Sequence, residues 1–451
     1  MGSLGLKNTT TRTRRARTED AKLRKTVRRY PFVAITAIAL FSCARPALAT
    51  DGYFQTGYGQ KVIAMGGASD GLAIGAMSGA NNPASIAFFG KSIAVAGSLF
   101  VPHRSAERLG NAYGLNGSAT SKDDDFIIPE FGFNAPINAR WSYGITIYGN
   151  GGMATDYAGS ELECPSTATG QLAPANLLCG SGHLGVNLEQ LIIAPTVAYK
   201  ITPNFAVAVS PQIIYQIFSA EGLQAFKALS IHPEAVTNNG ADDAVGVGVK
   251  LGVFWKIDSK LSVGGFFAPQ ADMARFTKYA GLFAGNGSFN VPANFSLGFG
   301  WHPTQKLTFA ADFQRILYRE VPAIGNPSAS AALLGTANGP GFGWANINVY
   351  KFGVADRLSR YVTLRAGFNH ADNPISSADV TFNILAPGVV ENQVSAGLTF
   401  HVTRRSDITV TAVHAFANSV AGATSLLLPG GGTDRISLEE NVIGIGFLHR
   451  M

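Results

Sequence analysis

Three stretches of the chain alternate without a break between large apolar and small residues. Phe295, Leu297, Phe299 and Trp301 alternate with Ser296, Gly298 and Gly300; Val394, Ala396, Leu398 and Phe400 alternate with Ser395, Gly397 and Thr399; Ile443, Ile445 and Phe447 alternate with Gly444 and Gly446. A two-residue period places the two sets on opposite faces of an extended strand. Fourteen strands are predicted, near 92–101, 125–133, 141–150, 188–200, 205–218, 244–256, 261–269, 293–302, 306–318, 348–358, 361–370, 392–402, 406–416 and 440–450. Most have roughly the 9–11 residues that a tilted membrane strand needs.

The connections alternate too. Those after even-numbered strands are short, such as Ile201-Thr202-Pro203-Asn204, Ile257-Asp258-Ser259-Lys260 and His302-Pro303-Thr304-Gln305. Those after odd-numbered strands are long: 102–124, 151–187, 219–243, 270–292, 319–347, 371–391 and 417–439. Short turns at one end and long loops at the other are the outer-membrane pattern, and an even strand count leaves both chain ends on the short-turn side. A soluble sandwich has no reason for so strict an alternation. Pro195 and Pro211 interrupt two of the strands and are expected to mark bulges.

Composition fits. The chain has 451 residues, 52 of them Gly, and only 14% are charged. Where lipid is the outer solvent, apolar residues face outward on alternate positions and no run grows long. The expected fold class is all-β: a 14-stranded antiparallel transmembrane β-barrel with an N-terminal plug inside its lumen.

Residues 1–49 read as a signal peptide. Lys22, Arg24, Lys25, Arg28 and Arg29 supply a basic region, Phe32 to Phe41 a short apolar run, and Ala47-Leu48-Ala49 a small-residue cleavage site. The Arg pairs lack the flanks of a twin-arginine signal, and Leu40-Phe41-Ser42-Cys43 fits a lipoprotein site poorly. The leader holds 11 Lys/Arg and 2 Asp/Glu, so a chain of formal charge +6 becomes a mature part of −3. The basic balance belongs to the leader, and no nucleic-acid footprint remains. The mature part keeps Cys164 and Cys179, which in an oxidising compartment are expected to pair; two thiols with no third ligand nearby make a poor metal site. The eight His are scattered without metal-ligand spacing, so no metal or cofactor is expected.

Residues 50–90 are the expected plug, and 91–451 the barrel. Gly57 to Ala80 is too rich in Gly and Ala to build a core, and is ordered only if something wraps around it. Gly67-Ala68-Ser69-Asp70-Gly71 formally fits the nucleophile-elbow pattern but lacks the hydrophobic strand before it and the helix after it. No enzymatic site is predicted.

Gly66-Gly67-Ala68, Asp70 and Asn82-Pro83-Ala84 together resemble the N-terminal hatch of the FadL/TodX/OmpP1 family of outer-membrane long-chain fatty acid and hydrocarbon transporters. Tyr148-Gly149-Asn150-Gly151-Gly152-Met153, Asn187-Leu188-Glu189-Gln190-Leu191 with Ala194-Pro195-Thr196, Leu364-Arg365-Ala366-Gly367-Phe368 and the segment Phe382 to Glu391 fit the same family. The resemblance implies a plug that shifts around Asp70, Asn82, Pro83 and Ala84. It also implies a kink at Gly149, Gly151 and Gly152 that opens a gap in the wall, and a greasy groove between two outer loops.

Residues of those loops lie at helical spacing: Leu223, Phe226 and Leu229 in one, Met273, Phe276, Tyr279, Leu282 and Phe283 in the other. Either they pack on each other or they form the groove where a hydrophobic ligand lands. Lys250, Lys351, Arg365 and Asp312, with Gln314, fall on the lumen phase of their strands. They either hold a carboxylate head group or pair with one another and with Asp70. The reading is passive uptake of a hydrophobic ligand (fatty acid, hydrocarbon or aromatic) across a Gram-negative outer membrane. A barrel of this kind is expected to be a monomer surrounded by outer-membrane lipid and lipopolysaccharide and assembled by the barrel assembly machinery. That machinery usually reads an aromatic final residue, from which Met451 departs. Two alternatives are a water-filled porin for polar solutes and a surface barrel for adhesion or phage docking.

Overall fold

The computed structural model describes residues 51–165 and 170–451; the expected leader lies outside the described residues. Fourteen strands form the wall: β1 (Ser92–Leu109), β2 (Phe126–Pro136), β3 (Trp141–Tyr157), β4 (Leu184–Thr202), β5 (Phe205–Glu221), β6 (Asp242–Lys256), β7 (Leu261–Ala268), β8 (Asn294–Trp301), β9 (Leu307–Ile316), β10 (Ile347–Asp356), β11 (Val362–Ala371), β12 (Asn392–His401), β13 (Ser406–Ala423) and β14 (Thr433–Arg450). Each pairs antiparallel with its chain neighbours, and β14 pairs with β1 in unbroken register from Ser92↔Arg450 to Leu109↔Thr433, so the sheet closes. Closure leaves no exposed sheet edge, which is the condition for spanning lipid with strands.

All fourteen predicted strands are present, and the inward and outward phases are as expected. Leu297, Ile443 and Ile445 are exposed on the outside, while Ser296, Ser395 and Thr399 are buried inside. Exposed Trp141, Tyr143, Trp255, Trp301 and Tyr361 lie near the short-turn end; exposed Tyr215, Phe267, Phe295, Tyr350 and Phe368 lie near the long-loop end. Val, Leu and Ile fill the exterior between the two belts, which matches the aromatic girdles of a lipid-facing wall.

Two expectations need correction. First, β1, β3 and β13 run on into the predicted outer loops, and β14 begins at Thr433 rather than near 440. Above the apolar band the outward positions turn polar, as at His103 and Arg435, so alternation disappears while pairing continues. Second, Pro195 and Pro211 mark no bulge. The two stand opposite each other between β4 and β5; pairing lapses between Ile193↔Ile213 and Val197↔Val209 and resumes in the same register. Two residues without an N–H confine the lost bonds to one place, and the hydroxyls of Thr196 and Ser210 bridge the lapse at 2.8 Å.

Residues 51–90 add no strand to the wall. The segment holds two single-turn helices, Gln60–Ile63 and Ser78–Asn81, and a 3₁₀ turn, Pro83–Phe88. Its hydrogen bonds go to inward groups on strands all around the ring. Gln60 donates to Ser98 of β1, the Gly59 N–H to Glu130 of β2, and the Gly66 N–H to Ser395 of β12. The carbonyl oxygens of Gly71 and Gln60 accept from Ser262 of β7 and Thr411 of β13. Glycines on the wall make the approach possible: a Cβ at Gly264 would stand 2.0 Å from the Asp70 carbonyl oxygen, and one at Gly367 2.0 Å from the Gly66 nitrogen. Small lumen-facing residues therefore leave the room that this segment fills.

Candidate functional site

Asn82 is fully buried at the start of the 3₁₀ turn. Its side-chain amide donates to the carbonyl oxygens of Asp70 and of Val253 in β6, both at 2.9 Å, and its side-chain oxygen accepts from the Ala84 N–H. Pro83 suits the first position of a turn because its missing N–H has no partner to lose. Asn82 thus ties the turn, the Asp70 region and the wall together. Beside it, an Asp312 oxygen accepts from the Ser69 and Asp70 N–H groups at 2.6 and 3.0 Å. The Asp70 carboxylate accepts a bond from Ser296 of β8. Burial pushes the Asp70 carboxyl up to about 6, against the opposing pull of Ser296, Lys351 and Lys250.

Between this segment and the wall lies a small cavity. Phe54, Tyr58, Ile192 and Phe266 give it apolar walls, and Asp70, Lys250, Gln314 and Lys351 also line it. The Lys250 ammonium donates to the Ala80 carbonyl at 2.8 Å and sits over the Phe266 ring at 4.5 Å. The Lys351 ammonium donates to the Thr56 carbonyl at 2.6 Å and to Gln314 at 2.8 Å, with Asp51 at 3.5 Å. Of the four predicted lumen residues the cavity unites only these two lysines. Asp312 is engaged with the N-terminal segment, and Arg365 donates to Thr399 away from the cavity.

The outer loops differ from expectation. Leu223–Leu229 and Phe276–Phe283 hold short 3₁₀ segments rather than amphipathic α-helices: Gln224–Leu229 in the first, Thr277–Tyr279 in the second. Leu223, Phe226, Met273, Phe276, Tyr279 and Phe283 are buried, and Leu229 and Leu282 partly so. The loops pack on each other through Gly281 N–H to Ala235 O and Ser230 Oγ to Gly281 O. Their apolar side chains face inward because no lipid reaches this height to cover them. Below, aromatic rings form a continuous column: Phe276 and Phe283 on Phe218, Phe283 on Phe289, Phe289 on Tyr53, and Tyr53 on Phe54, Tyr318 and Trp344.

At the foot of this column β3 departs from the wall. Its ladder with β4 slips between Gly149 and Gly151, leaving Asn150 as the extra residue. Its ladder with β2 ends at Glu130↔Tyr148. The slip falls among Gly149, Gly151 and Gly152, and residues 148–155 are buried on both faces. The freed backbone edge is taken by the N-terminal segment: Gln55 N–H donates to Asn150 O, and Gly152 N–H to Tyr53 O, both at 3.2 Å. Beside the kink, Phe100, Phe126 and Ile128, on the buried phase of β1 and β2, pack against Ala154.

Cys164 and Cys179 are joined, with Cα atoms 5.5 Å apart. The bond ties the small hairpin of Leu162–Pro165 and Leu172–Ala175 to the turn before β4. Sequence reasoning missed Tyr53, Tyr318, Trp344 and Phe289, whose spacing carries no period. It also missed Glu130, although the inward phase of β2 marks it.

The model of the family described as outer membrane protein transport protein (OMPP1/FadL/TodX) matches residues 54–432. Among solved structures, the Pseudomonas putida toluene transporter TodX is similar at 18% identity and TM-score 0.63. A Pseudomonas aeruginosa FadL homologue is similar at 15% and 0.65, and the Ralstonia pickettii toluene transporter TbuX at 17% and 0.61. Each covers 88% of this chain and 99% of its own. No curated protein matches.

Proposed function

This chain belongs to the OMPP1/FadL/TodX family of outer-membrane transport proteins, and from that premise we propose that it takes up hydrophobic small molecules passively, long-chain fatty acids first among them. The ligand enters between the loops 222–241 and 269–293 as they part. It follows the aromatic column down to the cavity beside the N-terminal segment, which acts as the plug. A carboxylate head group there is held by Lys250 and Lys351.

The observation that carries this reading is that both ammonium groups line the cavity while donating to plug carbonyls, Ala80 and Thr56. A carboxylate that draws the lysines toward itself weakens two bonds that hold the plug. Head-group binding and plug release are then one event, with Asn82-Pro83-Ala84 as the turn that moves. Release follows sideways through the wall between β2 and β3, where Phe100, Phe126 and Ile128 pack against Ala154.

The test is oleate binding to the purified barrel in detergent, with wild type set beside Lys250→Met and Lys351→Met. Loss of one charge-assisted bond lowers oleate affinity roughly tenfold or more, while hexadecane binding stays unchanged. Equal loss for both ligands contradicts the head-group role.

A further inference from the structure

The short-turn, periplasmic rim of the barrel is strongly basic, although the mature chain is not. Residue 91, the six short turns with their flanking positions (136–141, 200–205, 256–261, 301–307, 356–362 and 401–407) and the last three residues hold 11 Lys/Arg against 3 Asp/Glu, a balance of +8. The mature part as a whole is −3, so everything else in it carries −11. The cations ring the perimeter. Arg140, Lys260, Lys306, Arg360 and Arg405 put an exposed cation on five of the six turns. On the sixth, Lys200 stands just before the turn and lies over the Phe88 ring at 4.9 Å. Of the eleven, only Arg450 pairs with a carboxylate among the described residues, that of Asp407. Two of the others lie against the aromatic belt: the Arg140 guanidinium donates to the Tyr199 hydroxyl at 3.2 Å, and that of Arg360 sits 4.6 Å over the Tyr361 ring.

An exposed belt of Trp and Tyr marks the level of the lipid head groups. Cations gathered at that level with few carboxylates to offset them make a ring of positive potential. We propose that this rim selects anionic phospholipids from the leaflet around it, their phosphate groups lying among the turn cations. Lys and Arg supply the donors that phosphate oxygens accept, Arg two at a time. A Lys or Arg near an anionic membrane surface strengthens attraction to it roughly fivefold. The circular distribution decides which occupant fits. Lipid meets every turn of a barrel, whereas an acidic protein docked on the rim needs its cations on one side. The inference rests on the closed barrel and its aromatic belts and goes beyond the uptake reading.

Three of the four tryptophans, Trp141, Trp255 and Trp301, are exposed in this belt, and the fourth, Trp344, is buried. Intrinsic fluorescence therefore reports the lipid at this rim. The test reconstitutes the mature barrel in vesicles of phosphatidylethanolamine and phosphatidylglycerol, with bromine near the head-group end of the acyl chains in one lipid or the other. Brominated phosphatidylglycerol is expected to quench as though enriched about threefold or more over phosphatidylethanolamine. The preference vanishes in about 1 M salt, where the screening length is about 3 Å. Arg140→Gln/Lys260→Gln/Arg360→Gln lowers it about twofold or more at low salt. Lys122→Gln/Arg319→Gln, which removes two exposed cations from the outer loops, leaves it unchanged. Equal quenching by the two lipids, as for a rim that serves an acidic protein instead, overturns the proposal. So does a preference that survives salt or the triple variant, or one that falls equally in the outer-loop pair. If the triple variant does not reach the heat-modifiable folded form, the salt dependence of the wild type decides. No transported ligand enters the measurement, so its failure and failure of the lysine site read out separately.

Discussion

Gly151 lies so close beneath Tyr53 that a Cβ added to it would stand 1.9 Å from the Tyr53 carbonyl oxygen. The same oxygen accepts the Gly152 N–H, so the plug's first residues serve as a substitute neighbour for the kinked edge of β3. Gly151→Val therefore lifts residues 53–55 off that edge. Amide exchange at residues 53–55 is expected to speed up while the barrel keeps its heat-modifiable mobility. Uptake of a hydrophobic ligand is expected to slow with no change in its initial binding. Unchanged exchange at 53–55 contradicts the contact.

Phe226 and Phe276 are 4% and 0% exposed where the two outer loops meet the apolar interior. Phe226→Asp combined with Phe276→Asp places two unpaired carboxylates there, each costing several kcal/mol if the loops stay packed. The loops are expected to open to protease and ligand uptake to fall roughly tenfold or more, with the barrel still assembled. Wild-type uptake in the double variant counts against an entry between these loops.

Asp70 ties plug conformation to pH. Its carboxyl has an ordinary value near 3.8 and is pushed up to about 6 by burial in the folded protein. A raised carboxyl favours the folded state when protonated, so its contribution is complete below the ordinary value and is lost as pH rises through the folded one. Amide exchange in residues 66–72 is therefore expected to be slower at about pH 5 than at about pH 7.5 once intrinsic rates are corrected. Asp312 accepts from the Ser69 and Asp70 N–H groups, so the two carboxyls respond together, and the difference disappears in the Asp70→Asn/Asp312→Asn double variant. A difference that persists in the double variant assigns the pH response to another group.

The bond between Cys164 and Cys179 spans a sequence separation of 15. Closing a loop of that size is worth about 3 kcal/mol in the chain-entropy account. Cys164→Ser is expected to expose the 158–183 connection to limited proteolysis and leave the thermal transition of the barrel unchanged. Equal protease resistance contradicts a local tether.

The wall was legible because two solvents wrote on it. Lipid outside and the plug inside impose opposite demands on neighbouring positions, so Leu297 and Ser296 reveal their faces without any structure. The legibility stops where that contrast stops: above the lipid, β1 runs on past Arg104 and β14 starts well before residue 440, both with polar outward positions, and Arg104 could not be placed on a strand face. Helical spacing of Leu223, Phe226 and Leu229 did not mean a long helix, since no solvent boundary at that height rewards one. The lumen lysines were placed on the right face, but their partners were not readable. Thr56 and Lys351 are far apart in sequence, and no local pattern links them.

The seam between β1 and β14 has consequences for the order in which the molecule is made. It joins the first strand to the last in 18 consecutive pairs, so it cannot form until the final residues are available, and it carries the largest chain-closure cost of any strand pairing. Until then the wall is an open sheet with two free margins. The stopper precedes β1 in the chain and binds side chains on strands from β1 to β13. Gln60 alone bonds to both Ser98 and Thr411, on opposite sides of the seam, so its two contacts coexist only once the hoop has shut.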